Sequence, residues 1–377
     1  MSDPHTSSLP VIGPQPRPVL NQLPAYAAGK PPVTVPGLTP YKLSSNENPL
    51  PPLPGVLEGI ASATAVNRYP DTLCTDLRNE LAPLLNVPAD DIVTGAGSLG
   101  ALMQVLAAYA GTNDDGVQDE VVYPWRSFEA YPIVVELAGA KSVQVPLTTD
   151  GRHDLVAMAD AVTQNTSVVI LCTPNNPTGP SLRRQEVEEF IASVPKDVLI
   201  VVDEAYLEFI TDPEAVDGIE LYREHLNVLS LRTFSKAHGL ANLRIGYTVA
   251  RPEVTKRLRV AATPFAVSTV AERAALESVR REEEVRLRVK GLVAERERVV
   301  EALTRQGWEI PEAQGNFVWL PLGDKAVAFG AAAEKRALAV RVFPGEGVRV
   351  SIGEEGGNTR FLELAGEALA KLNAVEA

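Results

Sequence analysis

The chain has 377 residues, 45% hydrophobic and 22% charged, the composition of a globular protein with a length suited to about two domains. Its 48 acidic and 35 basic residues leave a net charge of −13, which argues against nucleic acid as a partner, because a phosphate backbone calls for a basic face. No apolar run reaches bilayer-spanning length and the first residues lack a basic-then-apolar leader, so neither a membrane span nor a secretory signal is expected. Two distant cysteines, Cys74 and Cys172, imply no disulfide framework and fit a cytoplasmic protein. His5, His153, His225 and His238 are scattered without Cys or acidic neighbours at metal spacing, so no metal site is expected.

Residues 1–40 are proline-rich and read as an extended arm in which Tyr26 can bring an aromatic ring to another surface. Residues 41–55 form a polar turn between apolar residues. Asn46 and Asn48 there suit either a ligand or the turn itself. Arg68-Tyr-Pro-Asp71 reads as a further turn, and a helix is predicted over 73–85. A strand at 91–94 leads into Gly95-Ala-Gly-Ser-Leu-Gly100 and a helix from 101 to about 110. This G-x-G-x-x-G is a weak dinucleotide fingerprint, since no acidic residue ends the next strand. It is a credible phosphate cradle: glycines admit close backbone approach and a helix N-terminus attracts an anion.

A strand at 121–123 exits into aromatics, Trp125, Phe128 and Tyr131, which can stack on a flat ring or serve as core. Another strand covers 142–146. The continuous apolar runs at 167–172 and 198–202 read as parallel strands covered on both faces. The first ends in Thr173-Pro-Asn-Asn-Pro-Thr-Gly179, followed by a helix over 183–193. The second ends in Asp203-Glu-Ala-Tyr206. A carboxylate at the end of a buried strand is costly unless paired, and a protonated pyridine nitrogen is a suitable partner, with a helix cap as the plainer role.

The stretch 229–246 organises the chain. A strand from Asn227 to Leu231 delivers Thr233, Ser235 and Lys236, and Arg244 follows a glycine-containing loop. Hydroxyls and an arginine suit a phosphate, and a lysine beside them suits an aldehyde cofactor. Strands alternating with helices across 91–250 give a parallel sheet, and each candidate polar group follows a strand.

Residues 265–306 read as one long charged helical stretch. Strands are expected at 308–310, 316–321, 340–343 and 348–352, with helices at 324–338 and 358–373. Val348, Val350 and Ile352 share one strand face; Arg349 and Ser351 share the other, where Arg349 is either an exposed edge residue or a carboxylate clamp.

Lys42-Leu-Ser-Ser-Asn-Glu-Asn48, Arg68-Tyr-Pro70, Thr173–Gly179, Val202–Tyr206 and Arg232–Lys236 with Arg244 together resemble fold-type I pyridoxal-phosphate (PLP) dependent aminotransferases, nearest the histidinol-phosphate aminotransferase group. Trp125-Arg-Ser-Phe-Glu129, Asn316–Leu322 and Gly347–Val350 look like its actinobacterial aromatic (phenylalanine) aminotransferase branch. The resemblance implies an α/β fold with a large, mostly parallel seven-stranded sheet domain over 44–262. It also implies a smaller α+β domain over 263–377 and an arm over 1–43 that joins the small domain. The implied activity is amino transfer between phenylalanine or tyrosine and 2-oxoglutarate, with histidinol-phosphate aminotransferase as the alternative. Carried over by resemblance, Lys236 joins the cofactor aldehyde, Asp203 pairs with the ring nitrogen, Asn176 and Tyr206 bond the ring hydroxyl oxygen, and Phe128 stacks on the ring. Ala96, Gly97, Ser98, Thr233, Ser235 and Arg244 hold the phosphate. Tyr69 reaches the phosphate of the other subunit of a homodimer. Arg349 clamps the α-carboxylate, and Tyr26, Asn46 and Arg341 line the side-chain pocket. His238 and Asn242 depart from the group's pattern, in the loop between Lys236 and Arg244. A phosphoamino-acid decarboxylase shares these motifs. A dinucleotide oxidoreductase would need no Lys236 linkage, and a regulator built on this domain would need a basic helix-turn-helix before it.

Overall fold

The computed structural model describes residues 16–376 apart from residue 27, so the first 15 residues of the expected arm lie outside the described residues. Among the described residues eleven strands form two sheets: β1 (Tyr41–Leu43), β2 (Ile92–Gly95), β3 (Glu120–Trp125), β4 (Lys141–Pro146), β5 (Thr166–Cys172), β6 (Leu199–Asp203), β7 (Val228–Thr233), β8 (Gly246–Val249), β9 (Phe317–Leu320), β10 (Leu338–Phe343) and β11 (Gly347–Ser351). The large sheet has the order β2-β8-β7-β6-β5-β3-β4 and the small one β1-β10-β11-β9. In the large sheet only β8 runs against its neighbours.

Alternation along the strands builds a core on each face of the large sheet. Tyr123, Val168, Ile170, Val201, Leu229 and Leu231 face the helices Gly97–Tyr109, Ala130–Ala138 and Pro252–Ala261. Val122, Val169, Leu171, Ile200, Val202 and Val228 face the helices Leu155–Asp160, Arg184–Ser193 and Gly218–Glu224. This two-sided cover explains why β5 and β6 read as unbroken apolar runs. In the small sheet Val348, Val350 and Ile352 join Leu43, Val318, Leu320 and Leu338 in a separate core. The arm enters that sheet directly, as β1 pairs in parallel with β10, Tyr41 opposite Leu338.

The charged helical stretch expected over 265–306 is made of two helices, Thr269–Val279 and Glu282–Gln306. Ser268 caps the first by accepting from the Ala271 N–H at 3.2 Å. The second links the cores: Val285, Val289 and Leu292 pack beside the large sheet, whereas Val299 and Leu303 pack in the small one. Three further expectations need correction. Residues 308–310 form no strand: Trp308 buries its ring in the small core without a neighbouring strand to pair with. The helix expected over 324–338 runs only from Ala326 to Glu334, because Ala337 at φ 55° turns the chain so that Leu338 can begin β10 beside β1. The helix after the glycine-rich loop begins at Gly97, four residues before the expected start at 101.

Beneath the ends of β6 and β7 lies a buried ion network. Glu204 accepts from the Gly218 N–H at 2.7 Å, the Ser230 hydroxyl at 2.5 Å and Arg232 Nε at 3.0 Å, while Arg232 Nη2 donates to Asp217 at 2.8 Å. Removing one partner strands the other charge in a dry interior. Arg232→Ala is expected to destabilise the fold by about 3–5 kcal/mol in urea unfolding. A loss below about 1 kcal/mol would show that the network is not needed to hold these strands.

Candidate active site

Strand register gathers the candidate residues at one edge of the large sheet. Cys172 lies opposite Asp203, Asp203 opposite Leu231, and Gly246 opposite both Thr233 and Gly95. The segments leaving β2, β3, β5, β6 and β7 therefore start side by side, at the carboxyl ends where open α/β sheets bind ligands.

Asp203 sits at the back of this cleft, 6% exposed. One oxygen accepts from the Tyr131 hydroxyl at 2.7 Å, and the other, Oδ1, has no partner among the described residues. Burial pushes its carboxyl up to about 6, against the opposing pull of the Tyr131 hydrogen bond. Asp203 is not the cap of either helix that follows it, whose N-caps are Tyr206 and Asp217. Tyr131, whose role the sequence leaves open, is fully buried and packs edge-on to Phe128 at 5.6 Å between ring centres.

Lys236 is half-buried. Its Nζ donates to the Ser45 carbonyl at 3.2 Å and lies 5.6 Å from the centre of the Tyr206 ring. Burial first, then the Arg349 guanidinium, push its amine down to about 7. The Tyr206 hydroxyl accepts from Asn46 Nδ2 at 3.0 Å. Asn46 is fixed at a left-handed φ of 52°. Its N–H donates to the Ser351 Oγ, its Oδ1 accepts from that hydroxyl, both at 2.8 Å, and its carbonyl accepts from Asn316 at 3.1 Å.

Arg349 is buried, not an exposed edge residue. It donates to Asn176 Oδ1 and to the Ser44 carbonyl, both neutral acceptors, and its Nε has no partner among the described residues. Arg341, directly opposite it across β10 and β11, is instead bound through Nε and Nη2 by Glu129 Oε2 at 3.0 and 2.5 Å. Tyr26, Phe128, Asn176, Tyr206, Lys236, Arg341 and Arg349 line a single cavity.

A second group adjoins it. Gly97 begins its helix at φ +74°, and a side chain there would overlap the Arg244 guanidinium. A Cβ at Gly246 would lie 2.5 Å from the Ser98 nitrogen, so glycine lets the helix end approach β8. Ala96 precedes that helix, Arg244 Nη1 lies 3.5 Å from the Ser235 hydroxyl, and the Ser235 N–H donates to Thr233 Oγ1 at 3.1 Å. Tyr69 is apart from both groups: it is 82% exposed and stacks on Phe265 at 4.4 Å. His238 and Asn242, the departures in the lysine loop, differ in setting: His238 lies against Phe234 and bonds Ser278 Oγ at 2.8 Å, while Asn242 is exposed.

Sequence reading missed Ser45, Glu129 and Ser351 as site groups. It also missed a surface cluster of Glu188, Glu224 and His225, whose donor atoms lie within 4.8 Å of one another. Arg184 ion-pairs with both carboxylates there, at 3.3 and 2.7 Å, so the cluster is a charge network.

A family model described as aminotransferase class I and II matches residues 39–363. The chain belongs to this aminotransferase family. It is 53% identical over 352 residues to a Streptomyces avermitilis protein named aromatic amino acid aminotransferase, covering 93% of this chain and 96% of that protein. It is 49% identical to a Thermobifida fusca protein of the same name, with 93% and 96% covered. Among solved structures, a putative histidinol-phosphate aminotransferase from Erwinia carotovora atroseptica superposes with a TM-score of 0.81 at 26% identity, covering 91% of this chain and 99% of that one. The Sinorhizobium meliloti histidinol-phosphate aminotransferase in complex with pyridoxal-5'-phosphate gives 0.78 at 26% identity, with 89% and 91% covered. The fold is thus fold-type I, as expected from the sequence.

The lowered pKa of Lys236 has a testable sign. Burial disfavours the ammonium, so the reactive free amine becomes the main form above about pH 7 rather than above the ordinary 10.5. In cofactor-free protein, a small aldehyde trapped on Lys236 by borohydride should accumulate with a midpoint near pH 7, read by peptide mass spectrometry. A midpoint shared with the surface lysines would refute this.

Proposed function

We propose that this chain is an aromatic amino acid aminotransferase that moves the amino group between phenylalanine or tyrosine and 2-oxoglutarate, with pyridoxal phosphate as cofactor. The observation that carries the reading is the convergence, in one aromatic-walled cavity, of a lysine with a lowered pKa and a guanidinium that has only neutral partners, next to a half-bonded carboxylate. Relatives 44–53% identical to the chain carry the aromatic name.

The residues fit the cofactor. The unbonded Asp203 Oδ1 suits a ring N–H. The open backbone at Gly97, the helix N-terminus with Ala96 and Ser98, and Thr233, Ser235 and Arg244 suit a phosphate. Phe128 would stack on the ring, Asn176 and Tyr206 would bond its hydroxyl oxygen, and Lys236 would hold the aldehyde carbon. When bound, pyridoxal phosphate supplies an aldehyde that condenses with amines and an electron-poor ring that accepts an electron pair.

The protein's part follows from its own groups. Asp203, drawn back to the carboxylate by a cationic neighbour, would favour a protonated ring nitrogen, and Tyr131 holds the carboxylate in place. Arg349 holds the substrate α-carboxylate bidentately, which orients the α-C–H toward Lys236. Lys236 Nζ, whose amine is pushed down to about 7, would take that proton as a general base and give it back as a general acid. Histidinol phosphate would place a dianion in the side-chain pocket. Arg341 is already neutralised by Glu129, so this pocket favours an uncharged ring.

The functional unit is proposed to be a homodimer. Tyr69 is 82% exposed and stacks on Phe265, itself 43% exposed, an apolar pair suited to a second copy whose phosphate site Tyr69 would complete. Two free, buried cysteines, Cys74 and Cys172, agree with a cytoplasmic setting.

Two measurements test the reading. In a single-turnover half-reaction, the absorbance band of lysine-bound cofactor should decay faster with phenylalanine than with histidinol phosphate. Lys236→Ala should show neither the band nor turnover, and turnover at the wild-type rate would refute the assignment. Sedimentation of the holoenzyme should give a dimer, with Tyr69→Ala loosening the cofactor; a monomer with full cofactor occupancy would refute the shared site.

A further inference from the structure

Arg341 and Arg349 face each other across β10 and β11. Arg349 meets only neutral acceptors, whereas Arg341 is bound through two nitrogens by Glu129, which enters from the segment after β3. The neighbouring Arg126 is likewise held by Glu346, with Nε at 2.8 and 3.1 Å from its two oxygens. The guanidiniums of Arg126 and Arg341 lie 5.6 and 5.7 Å from the centre of the Phe343 ring. Among the described residues the cavity thus holds one guanidinium without an acidic partner, Arg349, and a second, Arg341, whose charge is cancelled by a carboxylate.

We propose that Glu129 is a specificity-determining residue: it occupies Arg341 while an uncharged side chain is bound and must yield Arg341 when the distal carboxylate of a dicarboxylic substrate enters. The proposal rests on the aminotransferase reading, because an amino group exchanged between an aromatic amino acid and a five-carbon dicarboxylate requires one cavity to accept both. With Glu129 on Arg341, the wall offers Tyr26, Phe128 and Phe343 beside a neutral ion pair, which suits a phenyl ring. A distal carboxylate meets repulsion from Glu129 and gains Arg341 only by replacing it, so Glu129 weakens dicarboxylates selectively. The pair is only partly shielded from solvent: the Arg341 side chain is 12% and the Glu129 side chain 30% exposed.

The probes are glutarate and 3-phenylpropionate, which carry the two side-chain chemistries but no reacting group. Their binding to the holoenzyme is measured by calorimetry and by perturbation of the cofactor band. In Glu129→Gln, glutarate should bind about tenfold more tightly while 3-phenylpropionate changes by about twofold or less. The same bias should appear in the half-reaction KM for glutamate against phenylalanine. The glutarate gain should vanish in the Glu129→Gln/Arg341→Gln double variant, which separates release of Arg341 from a general change of cavity charge. Glu129→Ser gives a second substitution in the same direction should the first misfold. An unchanged glutarate-to-phenylpropionate ratio in a folded variant, or a gain that persists without Arg341, would overturn the proposal. If the wild-type cofactor band responds to neither phenylalanine nor glutamate, the aminotransferase reading fails and the gate falls with it. If wild type responds and the ratio does not move, the gate alone fails.

Discussion

Desolvated charge at the carboxyl edge of the large sheet is the constraint on which the cleft depends. Adjacent residues on the same two strands meet it in opposite ways. Glu204 and Arg232 are buried and fully engaged, to each other, to Ser230, to Gly218 and to Asp217. Asp203 is buried with one bare oxygen, and half-buried Lys236, just after β7, has a carbonyl for company instead of a carboxylate; facing them from the small sheet, Arg349 on β11 keeps one bare nitrogen. Strand geometry makes this division possible, since successive side chains point to opposite faces. The paired face fixes the strands so that the unpaired face can remain unpaired. A polar group left unsatisfied costs stability in isolation, and at a site that cost is recovered when the ligand arrives.

The second sheet supplies what the first cannot. Val348, Val350 and Ile352 anchor β11 in the small core, which forces Arg349 and Ser351 toward the cleft. Ser351 then holds Asn46, and Asn46 holds the Tyr206 hydroxyl that follows β6. A chain of hydrogen bonds therefore runs from the small sheet through the 44–46 turn to the large one, and Lys236 joins it through the Ser45 carbonyl. The left-handed φ of Asn46 belongs to this linkage: it lets one residue present its amide to Tyr206 and its backbone to Ser351 and Asn316 at once.

Much of this was legible in sequence, for a physical reason. Buried parallel strands announce themselves as apolar runs, and residues immediately after such strands must meet at one edge, so Asn176, Asp203, Tyr206 and Lys236 could be placed together from order alone. Arg349 could be assigned a face by alternation. What sequence could not give were pairings set by tertiary approach: Tyr131 with Asp203, 72 residues apart; Lys236 with Ser45, 191 apart; Glu129 with Arg341, 212 apart. Nothing local marks these partners. The misplaced boundaries have the same origin: Trp308 is apolar enough for a strand but finds no neighbour, and β10 starts early because β1, from the far end of the chain, lies alongside it.

The separation of Lys236 from carboxylates is itself an argument about chemistry. A buried lysine beside a buried aspartate would form an ion pair, keep its proton and lose its use as a base. Here Asp203 is bonded to Tyr131, Glu129 is taken by Arg341, and Glu204 faces the other side of the sheet with Arg232. After burial, the largest influence on Lys236 is the Arg349 guanidinium, which opposes a second positive charge and outweighs the opposite pull of the Glu47 carboxylate. The same arginine that suits a substrate carboxylate thus helps keep the amine neutral. A bound carboxylate would cancel that repulsion and raise the affinity of Lys236 for a proton at the stage when the α-proton has to be taken, so substrate binding and base strength are coupled through one side chain.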